Sequence, residues 1–170
     1  ITTQMMLESS RVRNIPLDSA TLNSTLHNGT LTVDEFHGAG PTIDLQATGR
    51  IEFDDSRSSQ IDYTITRGDL SLAKDLIGRD VSGNIATTGQ MTGPLSRVRL
   101  QGTGTLNRVE SSGLKALAAE LTYDATVPTD APEKMSVTVD GHITSLEALG
   151  EEITAATGNA SYHAGRIVTS

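Results

Sequence analysis

The stretch from Thr42 to Asp54 limits what this chain can fold into more than any other. Its odd positions are Ile43, Leu45, Ala47, Gly49, Ile51 and Phe53, and its even positions are polar without exception. Side chains on a strand alternate faces with a period of two, so this is a long β-strand with one apolar face and one solvated face.

The same alternation recurs along the chain. Met5 to Leu17 reads as strand, irregular around Arg11-Val12-Arg13, with Pro16 marking an edge or kink. Thr21 to Val33 reads as a hairpin about Asn28-Gly29, because a type I′ turn needs positive φ at both central residues. That two-residue loop pairs His27 with Thr30, Leu26 with Leu31 and Ser24 with Val33. Phe36 breaks the alternation, which predicts a bulge or strand end near Glu35. His37 to Pro41 is a turn, and Asp54–Ser59 a polar loop. Further strands are expected over Gln60–Thr66, Val81–Met91, Arg97–Asn107, Leu117–Val127, Met135–Ile143, Ile153–Ala156 and Asn159–Val168. Ser71–Ile77 is the best helical candidate, with Gly78 as its stop. Pro128–Glu133 is a loop, and a turn or short helix is expected at Leu146–Gly150.

Nine or ten strands with short connections predict an antiparallel sheet that is apolar on one face throughout. At roughly 4.8 Å per strand, nine would stack to about 40 Å. Such a sheet must curl, fold into a sandwich or be covered. The expected fold is therefore all-β: a large antiparallel sheet with one apolar face and one or two short helices, either curled into an open groove or closed on itself as a sandwich core, forming one domain over residues 1–170.

Composition argues for β structure and against a conventional dense core. Aromatic residues make up 3% of the 170 (two Phe, three Tyr, no Trp), whereas a sandwich core of this size usually buries several large rings. The net charge of −8, with no run among the thirteen Lys and Arg, argues against a nucleic-acid partner. No stretch approaches the roughly 20 apolar residues of a membrane-spanning helix. With no cysteine, disulfides and thiolate metal sites are excluded. The chain opens on Ile-Thr-Thr-Gln and closes on Arg-Ile-Val-Thr-Ser, both reading as strand. We therefore expect a piece of a longer repetitive protein whose targeting segment lies outside this stretch.

Reactive chemistry finds little support. His27, His37, His142 and His163 stand in no metal-ligand spacing, and His37 near Asp34 and Glu35 offers at best a weak cation site. Asp54-Asp55-Ser56 lacks the Gly and bidentate Glu of a calcium loop. There is no Gly-x-Ser-x-Gly elbow and no phosphate loop, and carboxylates such as Asp44 and Glu52 fall on the wet face. The expectation is a non-enzyme without cofactor or metal.

Ala86-Thr-Thr-Gly-Gln-Met-Thr-Gly-Pro-Leu95, followed by Val98-Arg-Leu-Gln-Gly-Thr-Gly-Thr-Leu-Asn107, resembles the repeats of the TamB and AsmA-like family. The hairpin Leu26-His-Asn-Gly-Thr-Leu31 with Ala47-Thr-Gly-Arg-Ile51 is similar to their glycine–hydrophobic periodicity, and Asp140-Gly-His-Ile143 is a weaker echo. The resemblance is spread over most of the chain. The first twenty residues, Ser71–Ile77 and Leu146–Gly150 depart from it. It implies a β-taco groove with a hydrophobic lining in the bacterial periplasm, as part of an inner-membrane-anchored, membrane-tethered parent. It further implies phospholipid transport and, with an outer-membrane barrel protein as partner, translocation and assembly of outer-membrane proteins.

An acyl chain asks for a dry aliphatic trough without hydrogen-bonding demands, and each buried CH₂ contributes about 0.8 kcal/mol. The residues expected to line it are Ile43, Leu45, Ile51, Phe53, Ile61, Tyr63, Ile65, Val98, Leu100, Leu106, Leu117, Leu121, Tyr123, Val137, Val139 and Ile143. Two other readings stand beside it: a β-solenoid or adhesin-like stalk, and a closed β-sandwich that binds proteins through an edge strand.

Overall fold

Alternating side chains joined by short polar turns form a ladder in which each strand pairs with the next. The computed structural model describes residues 1–12, 15–74, 80–111, 113–148, 151–163 and 166–169. Eleven strands follow one another: β1 (Thr2–Val12), β2 (Ile15–His27), β3 (Thr30–Ala39), β4 (Ile43–Glu52), β5 (Ser59–Asp69), β6 (Ser82–Gly93), β7 (Arg97–Ser111), β8 (Leu114–Pro128), β9 (Ser136–Ala148), β10 (Glu151–His163) and β11 (Arg166–Thr169). They form one antiparallel sheet in strict chain order, with β1 and β11 at its two edges. The sheet is open. Its antiparallel pairing departs from the parallel turns of a solenoid.

The Asn28-Gly29 hairpin has the expected register: His27 pairs with Thr30, Leu26 with Leu31 and Ser24 with Val33. Both turn residues have positive φ, +48° and +77°. The bulge falls next to Glu35. Asn23 pairs with Glu35 but Ser24 with Val33, so Asp34 is the extra residue. It returns Phe36 to the face of Val33, opposite Leu22 on β2 and Ala47 on β4.

Several boundaries differ from the sequence reading. Met5–Leu17 is two strands, because Val12 pairs with Ile15 and the segment turns back on itself; period-two alternation carries no mark of such a reversal. Pairing with β2 and β4 carries β3 through His37 to Ala39, which shortens the expected turn to Gly40–Thr42. In place of a helix from Ser71 there is a 3₁₀ turn, Leu70–Ala73, which the Asp69 carboxylate caps by accepting from the Ser71 N–H at 2.8 Å. The rest of that expected helix, residues 75–77 with its stop at 78, lies outside the described residues. β9 continues through Leu146 to Ala148 because it is paired on both sides, by β8 and β10; residues 149 and 150 lie outside the description. β10 runs unbroken across Thr157 and Gly158, which pair with His142 and Gly141. A second 3₁₀ turn, Pro132–Lys134, closes the loop before β9.

No second layer covers the sheet among the described residues. Among the described residues the buried apolar ones are few (Leu17, Ala20, Val33, Ile61, Val98, Ala119 and Ala125), and the one side chain removed completely from solvent is Ser59, whose hydroxyl accepts from the Glu52 N–H at 2.9 Å. A closed sandwich would bury its facing aliphatic rows. Here most of them keep partial exposure.

Candidate apolar-face site

The strand registers place the apolar side chains in continuous rungs across the sheet. One rung reads Ala47, Tyr63, Gly89, Gly102, Tyr123, Val139 and Ala160 from β4 to β10. The next reads Leu45, Ile65, Thr87, Gly104, Leu121, Gly141 and Gly158. On either side lie Ile61, Met91, Leu100, Ala125 and Val137, and Ile85, Leu106, Ala119, Ile143 and Ala156. Ile43 opposes Gly68, Ile51 opposes Leu31, and Val98 opposes Val127, so they share this face. Toward β1 it continues through Leu22 and Met5.

Two of the expected lining residues stand outside these rungs. Phe53 lies beyond the last residue of β4, 56% exposed, its N–H donating to the Gly29 carbonyl at 3.0 Å. It is not wedged between layers. Leu117, 60% exposed, sits where the β7–β8 ladder is interrupted: Ala118 pairs with Asn107 and Ala116 with Val109, while Arg108 adopts φ +52°.

The glycines were the unread signal. Gly89, Gly102, Gly104, Gly141 and Gly158 all occupy apolar-face positions. At Gly89 and Gly102 the reason is direct. Tyr63 and Tyr123 start three strands apart, about 14 Å, and reach toward each other across the two glycines. Their hydroxyls meet at 2.7 Å. A Cβ at Gly102 would stand 2.6 Å from the Tyr123 hydroxyl and 2.5 Å from the Thr88 carbonyl oxygen; one at Gly89 would stand 2.7 Å from the Tyr63 hydroxyl. Any side chain there would expel the rings. Thr87 joins the cluster, with its Oγ1 2.8 Å from the Tyr123 hydroxyl and 2.7 Å from the Thr103 carbonyl. Burial, then the hydrogen bond to Tyr123, raises the Tyr63 pKa well above that of a free phenol.

Beyond Tyr123 the floor is bare. A concavity of about 320 Å³ extends over β7–β10, lined by Leu106, Ala119, Leu121, Val139, Ile143 and Ala160 with Gly141 and Gly158 at its base. A Cβ at Gly141 would meet nothing closer than 3.4 Å. A larger hollow, about 740 Å³, lies on the opposite face, where Thr64, Thr88, Thr103 and Thr122 form a polar row. A twisted sheet is saddle-shaped, so each face is concave along one direction. Only the first hollow is aliphatic.

The polar face carries paired charges. Arg99 donates to both Asp124 carboxylate oxygens, with Nε at 2.9 Å, and that contact holds the Asp124 pKa below the usual carboxylate range. His37 pairs with Asp44 at 3.3 Å rather than with Asp34 or Glu35. The Asp54 carboxylate accepts from the Ser56 N–H and Asp55 from the Ser96 N–H, which commits the loop acids to their own backbone. Among the described residues no three His, Asp or Glu side chains converge as metal ligands. Comparison with family models, with curated proteins and with solved structures returns no match for this chain.

Proposed function

We propose that the chain is a non-enzymatic lipid-binding segment whose curled sheet takes acyl chains along its apolar face. On this reading it belongs to a periplasmic, inner-membrane-anchored protein of the AsmA-like and TamB-like kind, which supports phospholipid transport and outer-membrane biogenesis. The observation that carries the proposal is the run of apolar rungs across neighbouring strands, most of them partly exposed, with no second layer over them among the described residues. The aliphatic face of an open sheet that wide would expose several hundred Å² of contiguous apolar surface, which soluble proteins reserve for binding. Burying eight methylenes of one acyl chain there contributes roughly 6 kcal/mol before ordering costs.

Native mass spectrometry of the protein extracted from membranes tests this. Copurifying phospholipid is the expected result, and a clean apo species retained through gentle extraction would count against it. Leu100→Asp on the same face should reduce lipid transfer by about tenfold or more, since a desolvated carboxylate costs well over 1.4 kcal/mol, while the variant remains folded. If that substitution unfolds the chain outright, the face serves to hold the fold together rather than to take a ligand, and the proposal fails.

A further inference from the structure

The protons of the hydroxyl cluster can be assigned from the geometry. The Thr103 carbonyl can only accept, so the single Thr87 hydroxyl proton is spent on it at 2.7 Å. Thr87 can then only accept from Tyr123, at 2.8 Å, which spends the Tyr123 proton. Tyr123 in turn can only accept from Tyr63, at 2.7 Å. The chain runs one way: Tyr63 to Tyr123 to Thr87 to the Thr103 backbone. Every hydroxyl proton in it is committed, and what the cluster still offers is lone pairs on the phenol oxygens. The nearby carbonyls of Thr88 and Gln101, close beneath the two glycines, are acceptors as well. Burial of Tyr63 favours its neutral, proton-bearing form, so the direction of the chain holds across the physiological range.

We infer that Tyr63, Tyr123 and Thr87 form a specificity element of the apolar face, which accepts a hydrogen bond from the polar end of an alkyl-chain ligand and rejects ligands whose polar end can only accept. The ligand class is a long alkyl chain bearing a hydroxyl or ammonium group. Its hydrocarbon body would run from the hydroxyls over Gly89 and Gly102 into the aliphatic concavity over β7–β10, whose Leu121 stands two residues from Tyr123 on the same face of β8. An acceptor-only group placed against the phenols meets lone pairs and finds no donor, which leaves it desolvated and unpaired. This inference rests on the lipid-binding reading and adds to it the polarity of the ligand's end.

The test is displacement of an environment-sensitive fluorescent dye from the intact chain by dodecanol and by dodecyl methyl ketone. The wild type should bind the alcohol about tenfold more tightly, the size of one well-placed hydrogen bond against an unpaired acceptor. Tyr123→Phe leaves the Tyr63 proton without its acceptor, so the ketone should gain until the two affinities agree within about twofold. Thr87→Val retains both rings, frees one phenol proton and should give the same convergence, which keeps the test decisive if Tyr123→Phe folds poorly. Tyr63→Phe should keep the tenfold preference, because the Tyr123 proton remains on Thr87. Equal affinities in the wild type, or a preference that survives both Tyr123→Phe and Thr87→Val, would overturn the inference while leaving lipid binding intact. Failure of both compounds to displace the dye would overturn the lipid-binding reading, and this inference with it.

Discussion

The floor of the apolar face is built in two ways. Over β5–β8 it is filled: Gly89 and Gly102 lie under two phenol rings that meet hydroxyl to hydroxyl. Toward β10 it is bare: a Cβ at Gly141 would meet only ordinary contacts, and the concavity over β7–β10 is lined mainly by aliphatic chains. Strand alternation is the same in both halves, and so is the use of glycine on the apolar side. Glycine in a strand interior weakens it unless something else needs the space. In one half the occupant is supplied by the chain itself. In the other half no side chain among the described residues fills it.

Substituting the two kinds of glycine should separate the halves most sharply. Gly102→Ala places a methyl 2.5 Å from the Thr88 carbonyl oxygen and 2.6 Å from the Tyr123 hydroxyl, so backbone and ring must both move. A loss of about 3 kcal/mol is expected, from overpacking and a broken hydroxyl chain, read as a shift of the denaturation midpoint. Gly141→Ala meets only ordinary contacts and should change stability by less than about 1 kcal/mol. Equal losses at the two positions would erase the distinction between filled and bare floor.

A smaller effect should come from the phenols. With its folded pKa raised above the ordinary tyrosine value of about 10, Tyr63 contributes stability that is fully present below that pH and is lost as pH rises further. Ultraviolet absorbance titration should therefore show a phenol that resists ionisation until the sheet opens, and Tyr63→Phe should remove that late phase. The same variant should cost about 1 kcal/mol at neutral pH, one hydrogen bond. A normal titration of all three tyrosines would mean that the filled half is not sealed.

The smallest effect lies behind the filled half, on the polar face. Asp124 is held below its ordinary pKa chiefly by its hydrogen bonds from Arg99. Its contribution is present above the ordinary aspartate value of about 3.9 and fades as pH falls through the folded one. Asp124→Asn should flatten the acid limb of the stability curve slightly, and salt should weaken the effect in the wild type because the pair is exposed. Persistence of the full acid limb in the variant would place its origin in other carboxylates.

Much of this architecture could be read from the chain. The Asn28-Gly29 hairpin, the bulge beside Glu35 and the apolar parity of Leu45, Ile65, Leu100, Leu121, Val139 and Ile143 all follow from backbone sterics and a two-residue period. The reversal between Val12 and Ile15 and the continuity of β10 through Gly158 did not, since both are fixed by the partner strand rather than by local pattern. Leu117 and Phe53 had the right parity but fall at an interruption and beyond a strand end.

Local sequence thus determined an antiparallel meander with one greasy face and one wet face, because alternation and turn chemistry act over a few residues. Only the tertiary structure decided that the sheet stays open, which glycines are roofed, and that Tyr63 meets Tyr123. Those two residues stand 60 positions apart, and their meeting depends on the registers of three successive strand pairings adding up in space. No short-range rule carries that sum.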